Sequence, residues 1–182
     1  DLKTGVSNAL TQYSRSIDVN KFGGRFKYSK AVSLVDNVDT SITSNITLVI
    51  IRRNLKAVLG QFAQYEVCYG NRFHTQETSY NIVSTGFTIE GVVGTVYMAD
   101  EVINNETGRI FFFTYSEGGT PNIVKKNAGT VKYLIGEVLI DTCNITSTVI
   151  ANNVIEIQAI PHSNDVVGLR DLYVKFDMSN TT

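Results

Sequence analysis

The segment TVKYLIGEVLID, Thr130 to Asp141, decides the fold. Val131 and Tyr133 alternate with Thr130 and Lys132, and Val138 and Ile140 alternate with Glu137, Leu139 and Asp141. This is the period-two pattern of a half-buried sheet. Gly136 stands between the two halves, where a residue without Cβ can take a bulge or a positive φ as the apolar pattern changes phase. The stretch therefore reads as one bent strand or as two strands joined by a tight corner.

Similar segments lie on both sides. Downstream, Ile145 to Ile150 and Val154 to Ile160 flank a turn at Asn152-Asn153 and read as a hairpin, followed by the loop Pro161 to Asp165 and a last strand over Leu172 to Phe176. Upstream, Asn104 to Gly108 is a turn that feeds IFFFTY, Ile110 to Tyr115; three consecutive Phe residues cannot all face water cheaply, so this is a core strand or one with a face closed by a partner. After the loop Glu117 to Asn122, Ile123 to Lys125 reads as a short edge strand guarded by Lys125 and Lys126. Val83, Thr85, Phe87 and Ile89 are expected to share a face, with a turn near Gly91 and a strand over Thr95 to Ala99. Phe62 to Tyr69 places Ala63, Tyr65, Val67 and Tyr69 on one side before a turn at Gly70-Asn71. ITLVII, Ile46 to Ile51, is apolar on both faces, as in a central strand covered on both sides, with Arg52-Arg53 at its exit to solvent. His74 to Ser79 reads as a polar insertion.

Helix signal is sparse. Ala31, Leu34, Val35 and Val38 form one apolar stripe, Ser29 can cap its start, and Asp36 to Thr40 ends it. Asp1 to Val19 is polar and weakly patterned and is expected to be a leading segment without a helix. The fold class is thus mainly β with minor α (α+β), with antiparallel and mixed short strands and one short helix near residues 29–38. The expected organisation is a leading segment and basic-aromatic loop over 1–27, a β-rich domain over 28–178 with a subdivision near 91–108, and a polar tail over 179–182.

The composition bounds the function. The 182 residues fit one domain with a sizeable core, and a net charge of −1 argues against a general nucleic-acid or membrane-surface binder. The longest apolar run is far too short for a bilayer span. Cys68 and Cys143 form no zinc spacing or disulfide framework, and a reducing compartment is expected. The start at Asp1 without Met and the polar end read as a piece of something longer.

Chemistry-bearing patterns are few. His74 and His162 are far apart in sequence and lack neighbouring ligands, so no metal site is expected. Gly91, Gly94 and Gly118-Gly119 match no phosphate loop, and no cofactor is expected. The acid pairs Asp36/Asp39 and Asp100/Glu101 read as turn and solvent residues rather than a general acid and base. No catalytic residue is expected, and the protein reads as a non-enzyme. Four Asn-x-Ser/Thr triplets, at Asn45, Asn105, Asn144 and Asn180, are about what chance gives in a chain so rich in these residues. KFGGRFKYSK, Lys21 to Lys30, interleaves aromatic and basic residues around Gly23-Gly24. It faintly resembles an RNA-binding aromatic strand without matching that pattern; a loop with aromatics anchored and lysines wet is the simpler reading.

Taken together, Ser14 to Arg53, YEVCYGNRFH (Tyr65 to His74), NIVSTGF (Asn81 to Phe87), AGTVKYLIGEVLI (Ala128 to Ile140) and VIEIQAIPHSNDVVGLRDLYVKFD (Val154 to Asp177) carry a family resemblance. They resemble the C-terminal half of the baseplate wedge ring protein of T-even-type phages, a family related to the J-like baseplate proteins of other contractile-tailed phages. The resemblance is weakest over Thr75 to Ser79. The resemblance implies a late-expressed structural protein of the virion tail baseplate, assembled in the host cytoplasm. It implies pairing with copies of itself as a two-fold dimer, a ring around the hub, contacts to other baseplate wedge proteins, and rearrangement when the sheath contracts. Nucleic acid and membrane are not expected partners. Because aromatic and Arg anchors dominate interfaces, Phe22, Arg25, Phe26 and Tyr28 are the expected protein contact residues. The alternative is a tail fibre or receptor-binding β module.

Overall fold

The two halves of Thr130 to Asp141 fold back on each other. In the computed structural model, which describes residues 1–76, 78–168 and 171–175, strands β7 (Pro121–Lys132) and β8 (Glu137–Thr148) pair antiparallel, with Val131 opposite Val138. Of the two arrangements open from sequence, the tight corner is the one observed. Gly136 adopts φ +67°, and a Cβ there would run into the carbonyl of Asn71, so glycine is required twice over. Its N–H donates to Lys132 O at 3.0 Å and its carbonyl accepts from Tyr69 N–H at 2.8 Å. The apolar phase slips further on: Asp141 and Thr142 together face Gln64, since Ala63 pairs with Cys143 and Tyr65 with Ile140. This bulge turns both Val138/Ile140 and Cys143/Ile145 inward.

Eight further strands complete one sheet: β1 (Ile50–Lys56), β2 (Phe62–Cys68), β3 (Ile82–Ser84), β4 (Phe87–Ile89), β5 (Val96–Val102), β6 (Thr107–Tyr115), β9 (Val154–Ala159) and β10 (Leu172–Lys175). Their order is β10-β1-β9-β3-β5-β4-β8-β7-β6, with β2 on β8. Because β6 also pairs with β5, the ladder β5-β4-β8-β7-β6 closes on itself as a small barrel, which removes most free edges. All ladders among the described residues are antiparallel, so the expected parallel component is absent there. Phe176, the polar tail and Asn180 lie outside the described residues, as does Glu77 within the polar insertion.

Several local expectations are corrected. Ile46 to Val49 lie outside any strand, and Ile46 and Leu48 are 88% and 80% exposed; an unbroken apolar run does not specify which side is covered. Arg52 and Arg53 are strand residues rather than an exit: Arg52 pairs with Glu156 at 2.7 Å and lies over the Tyr173 ring. Val83 faces outward while Phe87 and Ile89 face inward, because the chain breaks at Thr85-Gly86 between two short strands. The expected hairpin around Asn152-Asn153 is reduced to one bridge, Ile150 to Val154. Beyond the left-handed Asn152 and Asn153, β9 leaves β8 and pairs with β1 and β3.

The barrel core is aliphatic and aromatic: Ile110, Phe112, Val131, Tyr133, Val138, Ile155 and Ile157 have no or almost no exposed surface. Phe112 meets Phe87 edge-on at 5.4 Å between centroids. Asp100, expected at the surface, is only 2% exposed. Its carboxylate accepts from Asn81 N–H and Ile82 N–H at 2.8 Å each, from Asn81 Nδ2 at 3.2 Å and from the Tyr133 hydroxyl at 2.7 Å. Such a set of donors is what allows a carboxylate to remain inside.

The N-terminal segment forms a helical layer. α1 (Leu2–Arg15) is capped by the Asp1 side chain, which accepts from Lys3 N–H, and buries Val6 and Tyr13 one above the other. A helix therefore occupies the segment expected to have none. α2 (Ile17–Asn20) is a single turn, and α3 (Tyr28–Asp36) realises the expected short helix, with Ala31 buried.

Candidate interaction surface

Lys21 to Lys27 connects α2 to α3 as a tight loop. Gly23 takes φ +73°, and Gly24 lies so close to the Val19 carbonyl that a side chain would not fit. The loop is fastened from below by Tyr13, whose hydroxyl accepts from Lys27 N–H at 2.9 Å and whose ring lies 6.2 Å from that of Phe26. The four residues named from sequence separate into two pairs. Phe26 and Tyr28 are partly buried and pack on the barrel core, with Tyr28 donating to Thr47 O at 2.9 Å. Phe22 is fully exposed and Arg25 is exposed.

The loop and α3 border a cleft of about 270 Å³ lined by Tyr13, Asp18, Lys21, Arg25, Lys27 and Lys30. Lys30 bonds Asp18 across it and lies 5.6 Å from the Tyr13 ring centroid. The hydrogen bond from Lys30, followed by its charge and those of Lys21 and Lys27, lowers the Asp18 pKa below its ordinary value. The same bond raises that of Lys30. Among the described residues Lys21, Arg25 and Lys27 make no ion pair.

A second surface covers the outside of β5 and β6. Alternation along β6 sends Ile110 and Phe112 into the core and Phe111 and Phe113 outward, where they form a small cluster with Ala99 and Tyr97. Tyr80 caps Phe111 at 5.6 Å, and Tyr97, Phe113 and Tyr115 meet at 5.1 to 5.8 Å. Tyr80, Tyr115 and Ile123 remain substantially exposed. The IFFFTY strand thus serves two faces. The sequence shows the alternation but not Tyr80, which arrives from a distant loop.

Among the described residues the remaining candidates assemble no reactive centre. The loops of His74 and His162 run side by side, with His74 N–H donating to Ile160 O and His162 N–H to Arg72 O, both at 2.8 Å. Among the described residues the one cluster of three potential metal ligands is Glu66, Cys68 and Glu137. Its groups are already engaged: Lys132 bonds Glu137 at 2.6 Å, and the Cys68 thiol bonds Glu66 at 3.4 Å. Partial burial and then Glu66 push the Cys68 thiol pKa up, away from the thiolate that a metal or a nucleophilic reaction needs. Burial does the same to Cys143, and both cysteines are free thiols. No helix among the described residues is long and apolar enough to cross a membrane.

The described residues thus form a closed antiparallel barrel carrying a helical layer. Residues 1–54 match the family model described as baseplate structural protein gp6, C-terminal domain III. The match bears out, over those residues, the resemblance read from the sequence, and the coarse function follows from it: a structural baseplate subunit of the virion tail. No curated protein and no solved structure matches significantly.

Proposed function

We propose that this chain is a ring-forming subunit of the baseplate wedge of a contractile phage tail. It pairs with a second copy, contacts other wedge proteins and holds the ring together through sheath contraction. The observation that carries this reading is the match of residues 1–54 to the baseplate family, and that segment, like the barrel, carries exposed large apolar side chains, Ile17, Phe22, Ile46 and Leu48 among them. Exposed large apolar groups are candidates for association surfaces. Phe22 and Arg25 are the contacting members of the set, whereas Phe26 and Tyr28 hold the loop on the barrel.

Sedimentation equilibrium over a range of concentrations at two salt levels tests the reading. A concentration-dependent dimer that persists in high salt, and that Phe22→Ala with Leu48→Ala weakens, supports it. A monomer throughout overturns self-association through these residues. A trimer favours a fibre-like module.

A further inference from the structure

The distribution of charge along the chain is far from even. Residues 1–30 hold six Lys and Arg against two Asp, a net of +4, and the remaining residues hold ten against fifteen, a net of −5. Folding gathers four of those six cations, Lys21, Arg25, Lys27 and Lys30, around one cleft next to Tyr13.

We propose that this cleft is a docking site for a carboxylate-rich segment of a partner protein. The inference deepens the association reading above and rests on it for the class of partner. One carboxylate is already seated there: Asp18 takes Lys30, and among the described residues Lys21, Arg25 and Lys27 line the same space without an ion pair of their own. An acidic segment would complete the pattern that Asp18 begins. Arg25 offers a planar fork for bidentate carboxylate bonding. Phe22, fully exposed and flanked in the chain by the lining residues Lys21 and Gly23, offers an apolar anchor near the charges, the combination found at interface hot spots. The acidic remainder of the molecule repels polyanions at long range, so the site suits a short acidic stretch that reaches only the basic end rather than an extended polyanion.

Titration of the intact chain with a short oligoglutamate peptide, followed by amide chemical shifts, tests the proposal. Saturable shifts confined to residues 13–30 are expected, weakening as salt rises. Neutralising the cleft with Lys21→Gln, Arg25→Gln and Lys27→Gln should weaken binding about tenfold, the scale of three exposed ion pairs. These side chains point into solvent, so the fold is retained, which an unchanged spectrum elsewhere verifies. Lys125→Gln with Lys126→Gln, on the barrel, should leave binding unchanged. Equal loss in both variants would reveal a general charge effect and overturn the proposal, as would absence of saturable binding. Tighter binding of an oligothymidylate than of oligoglutamate would make the site one for phosphates and overturn the carboxylate assignment. Oligoglutamate binding is read on the monomer as well as the dimer, so its failure and a failure of self-association are separate results.

Discussion

The barrel and the helical layer solve the problem of burial differently. In the barrel nearly every inward position is fully covered, and even Asp100 has all the donors it needs. In the helical layer only Val6, Tyr13 and Ala31 are buried, while Leu2, Ile17 and Phe22, with Ile46 and Leu48 on the segment leading to β1, stay in water. A helix with so small a buried face is not stable alone. The layer is held instead by the hydroxyls of Tyr13 and Tyr28 and by the packing of Phe26 and Tyr28 on the barrel. The region with the densely filled core lies mostly outside the family match, and the helical layer, with its small buried face, lies inside it; exposed large apolar side chains occur in both. If the layer is the contact element proposed above and the barrel its scaffold, stability and association should respond to different substitutions.

The largest effect that would break this division is in the barrel. Phe112→Ala removes a fully buried ring packed against Phe87 and should cost about 3–5 kcal/mol, read as a fall in the urea midpoint. Amide exchange should then quicken throughout the chain, because the layer is anchored on what unfolds. Tyr13→Ala should quicken exchange in α1 and α3 and leave the barrel protected. If Tyr13→Ala instead unfolds the barrel, the two regions are one cooperative unit and the contrast fails.

The buried polar network gives the next largest change. Tyr133→Phe leaves Asp100 one donor short and should cost about 1–3 kcal/mol at neutral pH. It also alters the alkaline limb. Burial, and then the Asp100 charge, raise the Tyr133 pKa above its ordinary 10.0, and burial likewise raises that of Tyr69. Stability from each is fully present below pH 10 and is lost as pH rises above it, because the unfolded chain ionises first. Each contributes up to about 1.4 kcal/mol per pH unit to that loss. Tyr133→Phe should make the decline shallower, and unfolding measured from pH 8 to 11 would show an unchanged slope if the hydroxyl were in fact solvated.

These contrasts also explain which parts of the molecule could be read from the sequence. The strands were legible where one face is wet: Phe62 to Tyr69 and Thr130 to Asp141 alternate cleanly because one side is core. Ile46 to Ile51 misled for the opposite reason, since a run apolar on both faces records no direction, and two of its six residues, Ile46 and Leu48, are exposed. The stripe of Leu2, Val6, Leu10 and Tyr13 was present at helical spacing but diluted by polar neighbours. Asp100 looked like solvent because its donors, Asn81, Ile82 and Tyr133, come from other strands and loops that only the fold brings together. The basic loop was visible as composition, whereas its cleft depends on Asp18 and Tyr13 from the preceding helices.

A smaller effect should come from the hinge between the regions. Tyr28→Phe deletes the bond to Thr47 O and keeps the ring, at a cost of about 1 kcal/mol. Exchange at residues 28–36 should rise while that of β5 to β8 is unchanged. A uniform rise would mean that this hydroxyl supports the barrel as well as the layer.

The smallest effect sharpens the comparison most, because it separates binding chemistry from stability. The lowered pKa of Asp18 means that its contribution is present above its ordinary value of 3.8 and disappears as pH falls through the folded value. The raised pKa of Lys30 means that its share is present below 10.5 and disappears as pH rises past it. The pair is therefore intact between about pH 4 and 10, yet both side chains are about half exposed and screened by water and salt. Asp18→Asn should leave the urea midpoint at pH 7 within error of the parent. It also frees Lys30, so the cleft gains an unpaired cation where it loses its internal carboxylate. An added acidic peptide should bind Asp18→Asn more tightly than the parent. A stability loss comparable to that of Tyr133→Phe would instead show that the pair holds the helical layer together, and the cleft would then be a structural joint.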